Sequence, residues 1–391
     1  MSSPADAPDT APATPPSSAP GAHVGVPPGC PISAEFIPVN LRKHVDPAAP
    51  VPLRMMGAKS LVPLSPSDML GALYILTYDA DAGVRETAAK TAANLPDRIL
   101  GGALRDEGVA PPVLAWFLSL LKGKEAYAEM LVLNASTPDE AVAQVARECS
   151  QRLAEIIGQN QLRLLRHEDI VRGLCANLNA SAALLDSVCD FAVRSGVNLP
   201  DVPQMQAARV RVFGPEVAAR PPDPGPTAEE VMRDLEVADE EAPPMEEGKK
   251  LTLTQRIMKM SISEKIKLAT LGNKEARSQL MRDSNKLVAV AVIRSPRITD
   301  GEVLGAAANR AINEEVLRVI IGNREWTKKY PVKLALVKNP KTPLAVSMKF
   351  LSTLRDSEVK DLSRDKMVPS GVQQLAKKQL EKKNTPKKDE K

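Results

Sequence analysis

The stretch Ala291-Val-Ile-Arg-Ser-Pro-Arg297 returns 44 residues later as Ala335-Leu-Val-Lys-Asn-Pro-Lys341. A third copy of the phrase, Met130-Leu-Val-Leu-Asn-Ala-Ser-Thr-Pro138, stands in the first half of the chain. Each copy reads as the apolar end of one helix, then Asn or Ser with a small residue or Pro, then the start of the next. A repeat of about 40 residues accommodates two helices of about 12–15 residues with their turns. A chain of this kind is constrained to stack short helices, because one such unit cannot bury its own apolar face.

Helix starts recur between these phrases. Ser65-Pro-Ser-Asp68 and Thr137-Pro-Asp-Glu140 each offer a capping hydroxyl, a proline suited to the first helical position and an acid three residues on. Ser261-Ile-Ser-Glu264, Thr299-Asp-Gly-Glu302 and the pair Thr227 and Glu230 repeat the capping box, and Thr342-Pro343 has the cap and proline without the acid. Stripes follow at helical spacing, as in Val303, Leu304, Ala307 and Ala308, or Leu344, Val346, Phe350, Leu351 and Leu354. Aromatic residues are 3% of the chain while hydrophobic residues reach 43%. Cores built from Ala, Leu, Val and Ile suit packed helices better than a β-sandwich. The expected fold class is therefore all-α.

Composition divides the chain into five parts. Residues 1–50, rich in proline, are expected to be a disordered tail with a short docked stretch around Phe36–Leu41. Residues 51–200 form a first helical-repeat module. Residues 201–250 read as a Pro- and acid-rich linker with room for one short helix at Thr227–Val237. Residues 251–380 form a second, basic helical-repeat module, and residues 381–391 a Lys-rich disordered tail. Residues 1–248 hold 20 Lys and Arg against 33 Asp and Glu, a net −13, and residues 249–391 hold 32 against 15, a net +17. The ten acids within residues 223–247 precede the basic module directly, which prompts the expectation that they fold back over it at low salt.

Few function classes fit the remaining residues. No G-x-S-x-G, P-loop or G-x-G-x-x-G pattern occurs, so no catalytic residue and no cofactor site is assigned. His167, in Arg166-His-Glu-Asp169, reads as part of a polar helix start in which Glu168 or Asp169 caps. Cys175 and Cys189 lie on apolar stretches and read as two buried thiols rather than metal ligands. Gly272 and Gly322 stand where helices should end. The stretch Met1–Pro28 has neither the basic nor the apolar region of a secretory leader, and no run of 18 apolar residues exists, so the default expectation is a reducing cytoplasm.

The phrases Leu334-Ala-Leu-Val-Lys-Asn-Pro-Lys-Thr-Pro343 and Asp356-Ser-Glu-Val359 resemble those of HEAT-like and leucine-rich-repeat-variant α-solenoids. Residues 251–380 also resemble an uncharacterised bacterial family carrying such repeats. The resemblance implies stacked helix pairs and binding through an extended face, hence a non-enzymatic adaptor or scaffold with a protein partner. The alternative is nucleic acid or another polyanion held by the basic residues of 249–341, as in a HEAT-like DNA-repair factor. Candidate partner-binding residues are Asn309, Arg310, Arg324, Trp326, Lys328, Lys329 and Tyr330. An Asn amide pairs well with a peptide backbone. Trp326 and Tyr330, four apart, read either as a stacking platform or as an aromatic pair packed between repeats.

Overall fold

The computed structural model describes residues 25–219, 225–239 and 252–384. Among the described residues the regular elements are helices and there is no strand, as the sequence pattern requires. Contacts divide the chain into two compact units, Met1–Val145 and Ala146–Lys391. The division therefore falls well before the interval 201–250 in which a linker was expected.

In the first unit two 3-10 turns, Ala34–Phe36 and Val39–His44, precede α1 (Val51–Ala58). There follow α2 (Pro66–Leu76), α3 (Ala82–Ala93), α4 (Asp97–Ala103), α5 (Pro111–Leu120), α6 (Glu125–Leu133) and α7 (Asp139–Ala146). The expected tail of residues 1–50 is corrected over 25–50: Val26, Cys30, Ile32, Ile37 and Val45 are buried. These apolar side chains outweigh the local prolines, and Arg42 fixes the turns by donating to the Ile37 carbonyl at 3.0 Å. Residues 1–24 lie outside the described residues.

An ion pair sits inside this unit. Arg54 on α1 bonds Asp79, with side chains 8% and 0% exposed. The pair is held from both sides. Arg54 also donates to the Ala49 carbonyl at 3.0 Å, while Asp79 accepts from the Asp81 N–H at 2.8 Å. Around it, Tyr74 packs at 5.4 Å from Tyr78 and 5.6 Å from Trp116, ring centre to ring centre.

The second unit begins with α8 (Gln151–Gln159), α9 (Gln161–Arg166), α10 (Asp169–Ala176) and α11 (Ala182–Arg194). Three helices then occupy the supposed linker: α12 (Pro203–Phe213), α13 (Pro215–Ala218) and α14 (Ala228–Asp239). Val202, Met205 and Ala208 are buried, so a few apolar residues at helical spacing suffice to pack a segment that its prolines and acids had marked as open. The Thr227 capping box is present, with bonds of 3.2 and 3.1 Å to Glu230. The acidic stretch 240–250 lies outside the described residues.

The unit continues with α15 (Leu253–Lys259), α16 (Ile262–Leu271), α17 (Lys274–Leu280), α18 (Lys286–Ile293) and α19 (Asp300–Ala308). It ends with α20 (Glu314–Gly322), α21 (Arg324–Lys328), α22 (Tyr330–Lys338), α23 (Leu344–Leu351), α24 (Asp356–Arg364) and α25 (Ser370–Asn384). Helix therefore runs beyond the expected limit at 380. Here α16 packs on both α9 and α14. Ser263 is fully buried; its hydroxyl donates to the Leu165 carbonyl at 3.2 Å and its N–H to the Ser195 carbonyl at 3.1 Å. Gly196, at φ +90°, allows this approach, since a Cβ there would stand 2.4 Å from that of Ser261. Residues on both sides of the expected linker thus share one core.

Most expected helix starts are found. Ser65, Ser261 and Thr299 accept the N–H three residues on, and Thr299 with Glu302 forms a complete capping box. Thr342 is corrected: the residue before α23 is Pro343, and the Thr342 hydroxyl is buried without a hydrogen bond. In Thr137-Pro138 the helix begins one residue later than expected, at Asp139, and the Thr137 hydroxyl donates to the Leu131 carbonyl at 2.5 Å.

One device recurs where helices end. Asn134, Asn177 and Asn339 follow α6, α10 and α22 and are 4%, 4% and 2% exposed. Each directs its amide Nδ2 at two carbonyls some thirty residues upstream. Asn134 reaches Leu104 at 2.9 Å and Asp106 at 3.1 Å; Asn177 reaches Ala146 at 2.9 Å and Cys149 at 3.0 Å; Asn339 reaches Ala307 at 2.8 Å and Asn309 at 3.1 Å. Each Oδ1 accepts the N–H two residues on, at 2.8–3.0 Å. Ser295, the residue matching Asn339 in the 44-residue repeat, donates its hydroxyl to the Thr270 carbonyl at 3.1 Å.

Three substitutions test these ties. Asn339→Ala leaves buried carbonyls without donors and should lower stability by about 1–3 kcal/mol in denaturant titration. Asn309→Ala, whose amide N–H groups bond no carbonyl, should cost less than about 1 kcal/mol. In the first unit, Asp79→Ala strands the Arg54 charge and should cost about 3–5 kcal/mol, read as a lower denaturation midpoint.

Candidate functional site

Of the seven partner-binding candidates, Arg324, Trp326, Lys328, Lys329 and Tyr330 lie on or beside α21 and the start of α22, whereas Asn309 and Arg310 follow α19. Lys328 pairs with Glu325 at 2.6 Å, and Lys329 pairs with Asp300. Trp326 and Tyr330 are half-buried against the apolar core formed by α18 to α25. The Tyr330 hydroxyl bonds the Glu358 carboxylate and accepts the Arg355 N–H at 3.0 Å, and the Arg355 guanidinium lies 5.1 Å from its ring centre. The aromatic pair is therefore engaged within the helical packing and offers no open platform for a base. Arg310 and Arg324 are exposed at separate helix ends. Asn313 and Asn323 cap α20 and α21 through their side chains.

Asn309 borders a cavity. A groove of about 930 Å³ runs between α17, the turn after it and α19, and reaches Lys341. Three cations on it, Lys274, Arg282 and Lys341, make no ion pair with a carboxylate among the described residues. The Lys341 ammonium instead donates to the Ile312 carbonyl at 2.7 Å. The acids on the groove are answered: Asp283 by Lys265 at 2.9 Å and Glu302 by Arg277 at 2.9 and 3.1 Å. The uncompensated charge of the groove is positive.

Its floor is the exposed face of α19. Gly301 and Gly305 lie there, and a Cβ on either would meet no atom within 4 Å. A glycine inside a helix costs about 0.5–1 kcal/mol relative to alanine, and among the described residues no atom stands where a side chain at either position would begin. They leave backbone open to whatever enters the groove. The Asn309 Oδ1 accepts the Ala311 N–H at 2.9 Å, while its Nδ2 makes no bond among the described residues and remains an available donor. Among the described residues no aromatic side chain lines the groove.

The wall of the groove is tied together by Arg277. Arg277 is 4% exposed, and besides its two bonds to Glu302 it donates to the Gly272 carbonyl at 2.9 Å. Gly272 follows α16 at φ −63°, not in the left-handed conformation usual for a helix-ending glycine. Glycine is required there for closeness, since a Cβ would stand 2.4 Å from the Leu268 carbonyl oxygen. Burial works against a charged Glu302, yet the bonds from Arg277 and Thr299 prevail and hold its carboxyl below the ordinary range.

Two other sequence readings resolve differently. Glu168 stands at the N-cap of α10, but its carboxylate bonds Lys267 at 2.6 Å rather than capping, and Asp169 bonds Arg172 at 3.1 Å. His167 sits 3.8 Å from Asp169. The sulfurs of Cys175 and Cys189, fourteen residues apart, lie 3.6 Å from each other. Among the described residues no group of three His, Cys, Asp or Glu is placed to hold a metal ion, and no helix is long and apolar enough to cross a membrane.

Comparison with family models, curated proteins and solved structures finds no match to this chain. The groove must therefore be read from its own chemistry. Lys274, Arg277, Arg282 and Lys341 belong to a basic segment that composition makes visible. The open glycines of α19 carried a sequence signal too, since two glycines four apart inside a helical stripe oppose its stability.

The depressed carboxyl of Glu302 gives a pH test. A group held below its ordinary value contributes stability above that range and loses it as pH falls through the folded-state value. Glu302→Gln should lower stability at neutral pH. It should also flatten the decline between neutral pH and the acid side of the ordinary glutamate range, measured by denaturant titration at each pH.

Proposed function

We propose that this chain is a non-enzymatic binding scaffold whose second unit takes an extended acidic polypeptide segment in the groove along α19. The observation that carries this is the meeting, around one cavity, of three cations that no carboxylate of the described residues answers, an open glycine backbone and an Asn309 amide nitrogen with no bond among those residues. An extended peptide presents carbonyls to the amide and needs close backbone approach, while its carboxylates answer Lys274, Arg282 and Lys341. Helical-repeat stacking of the solenoid kind is the architecture this proposal assumes, supported by the recurring Asn and Ser ties at helix ends. Nucleic acid shares the requirement for positive charge, but single-strand recognition ordinarily adds stacking side chains, and the groove has none among the described residues.

The test measures binding of fluorescent acidic peptides, a scrambled neutral peptide and a single-stranded oligonucleotide to the whole protein. Acidic peptides should bind best. The double substitution Lys274→Glu with Arg282→Glu should weaken them by about tenfold, since each exposed pair contributes about 0–1 kcal/mol. Gly305→Ala should raise stability slightly and still weaken binding, because its methyl fills the space that a partner's backbone would use. Tighter oligonucleotide binding with a steep salt dependence would overturn the peptide reading. Equal binding by wild type and both variants would remove the groove as the site.

A further inference from the structure

Cys175 and Cys189 belong to two consecutive helices in contact, α10 and α11, joined by the turn from Asn177 to Ser181. Cys175 lies in the last turn of α10 and is half-buried, whereas Cys189 is 1% exposed in the middle of α11. Their sulfurs stand 3.6 Å apart, in van der Waals contact and unbonded. A disulfide bond of about 2.05 Å needs a closure of about 1.5 Å, within the reach of side-chain rotation and slight helix adjustment. The other two cysteines are placed differently. The Cys149 sulfur sits 3.3 Å from the Asn177 amide, and Cys30 is buried in the first unit.

The pair is also chemically unequal. Hydrogen bonding from Cys189 lowers the Cys175 thiol below its ordinary value, against the opposing effect of burial. Cys189 is pushed up by that same bond and by its own burial. Cys175, the more accessible of the two, is the sulfur placed to meet an oxidant first, and as a thiolate it is the nucleophile.

We propose that Cys175 and Cys189 form a reversible intrachain disulfide, produced by hydroperoxides, that ties α10 to α11. The Cys175 thiolate attacks the outer oxygen of the hydroperoxide. The O–O bond breaks, the departing oxygen takes a proton and leaves as alcohol or water, and Cys175 becomes a sulfenic acid. The Cys189 sulfur then attacks the Cys175 sulfur. The S–S bond forms as the S–O bond breaks, and hydroxide leaves with the Cys189 proton as water. Two thiols give up two electrons, and one hydroperoxide is reduced. The turn between the helices carries Leu178 fully exposed, so the disulfide fixes two helices whose connecting turn faces solvent. A thiol reductant reverses the bond by exchange.

The experiment treats the full-length reduced chain with graded hydrogen peroxide, blocks remaining thiols with an alkylating agent and maps peptides by mass spectrometry without reduction. The expected result is a cross-linked pair of peptides containing Cys175 and Cys189, two hydrogens lighter than the sum of the free peptides and released by dithiothreitol. Cys30 and Cys149 should still be alkylated after unfolding. Cys189→Ser should leave Cys175 as a sulfenic acid trapped by dimedone, and Cys175→Ser should leave Cys189 reduced. Circular dichroism checks that both variants keep their helices, and the wild-type map decides the matter even where a variant unfolds. Cys175 and Cys189 remaining free, reaching sulfinic or sulfonic acid without a cross-link, or pairing only with other cysteines would overturn the proposal.

Discussion

Every helix leaves carbonyls unpaired at its C-terminus, and a chain of helices this short meets that problem again and again. The carboxamides of Asn134, Asn177 and Asn339 answer it from a distance. Each ends its own helix in an extended conformation, turns its oxygen to the following backbone and sends both amide hydrogens to the end of an earlier helix. No apolar contact performs this task, because a buried carbonyl without a donor carries a desolvation cost that packing does not remove. The side-chain amide is suited to it by having two donors and one acceptor on one rigid plane.

The same economy appears in Glu302. It closes the capping box of α19, receives Arg277 from the neighbouring helix and so fixes the edge of the groove. Arg277 reaches on to the carbonyl of Gly272, where α16 ends. One carboxylate and one guanidinium therefore join the end of α16 and the start of α19 through the middle of α17. The positive charge left over, on Lys274, Arg282 and Lys341, stands on a frame that is already electrically satisfied.

Much of this was legible from residue order. The phrase shared by 291–297 and 335–341 marked the positions of Ser295 and Asn339, which tie helix ends in the same way. Capping hydroxyls at Ser65, Ser261 and Thr299 located their helices. What was not legible is long-range. Ser263 bonds Leu165 across 98 residues, and nothing in either neighbourhood advertises the other. Composition misled over 201–219, because helix packing there needs only a few apolar positions and the average is dominated by the rest. The aromatic pair Trp326 and Tyr330 was ambiguous for a related reason: spacing places two rings on one face without saying whether that face looks inward.

The scarcity of aromatic residues has a practical consequence. The chain contains two tryptophans, Trp116 and Trp326, and they fall in different compact units. Trp116 sits beside Tyr74 and Phe117, at 5.6 and 4.8 Å between ring centres, whereas Trp326 borders an almost wholly aliphatic core. Each unit thus carries its own optical reporter. Replacing either indole by phenylalanine leaves a protein whose fluorescence follows the unfolding of one unit alone, without a label or an added probe.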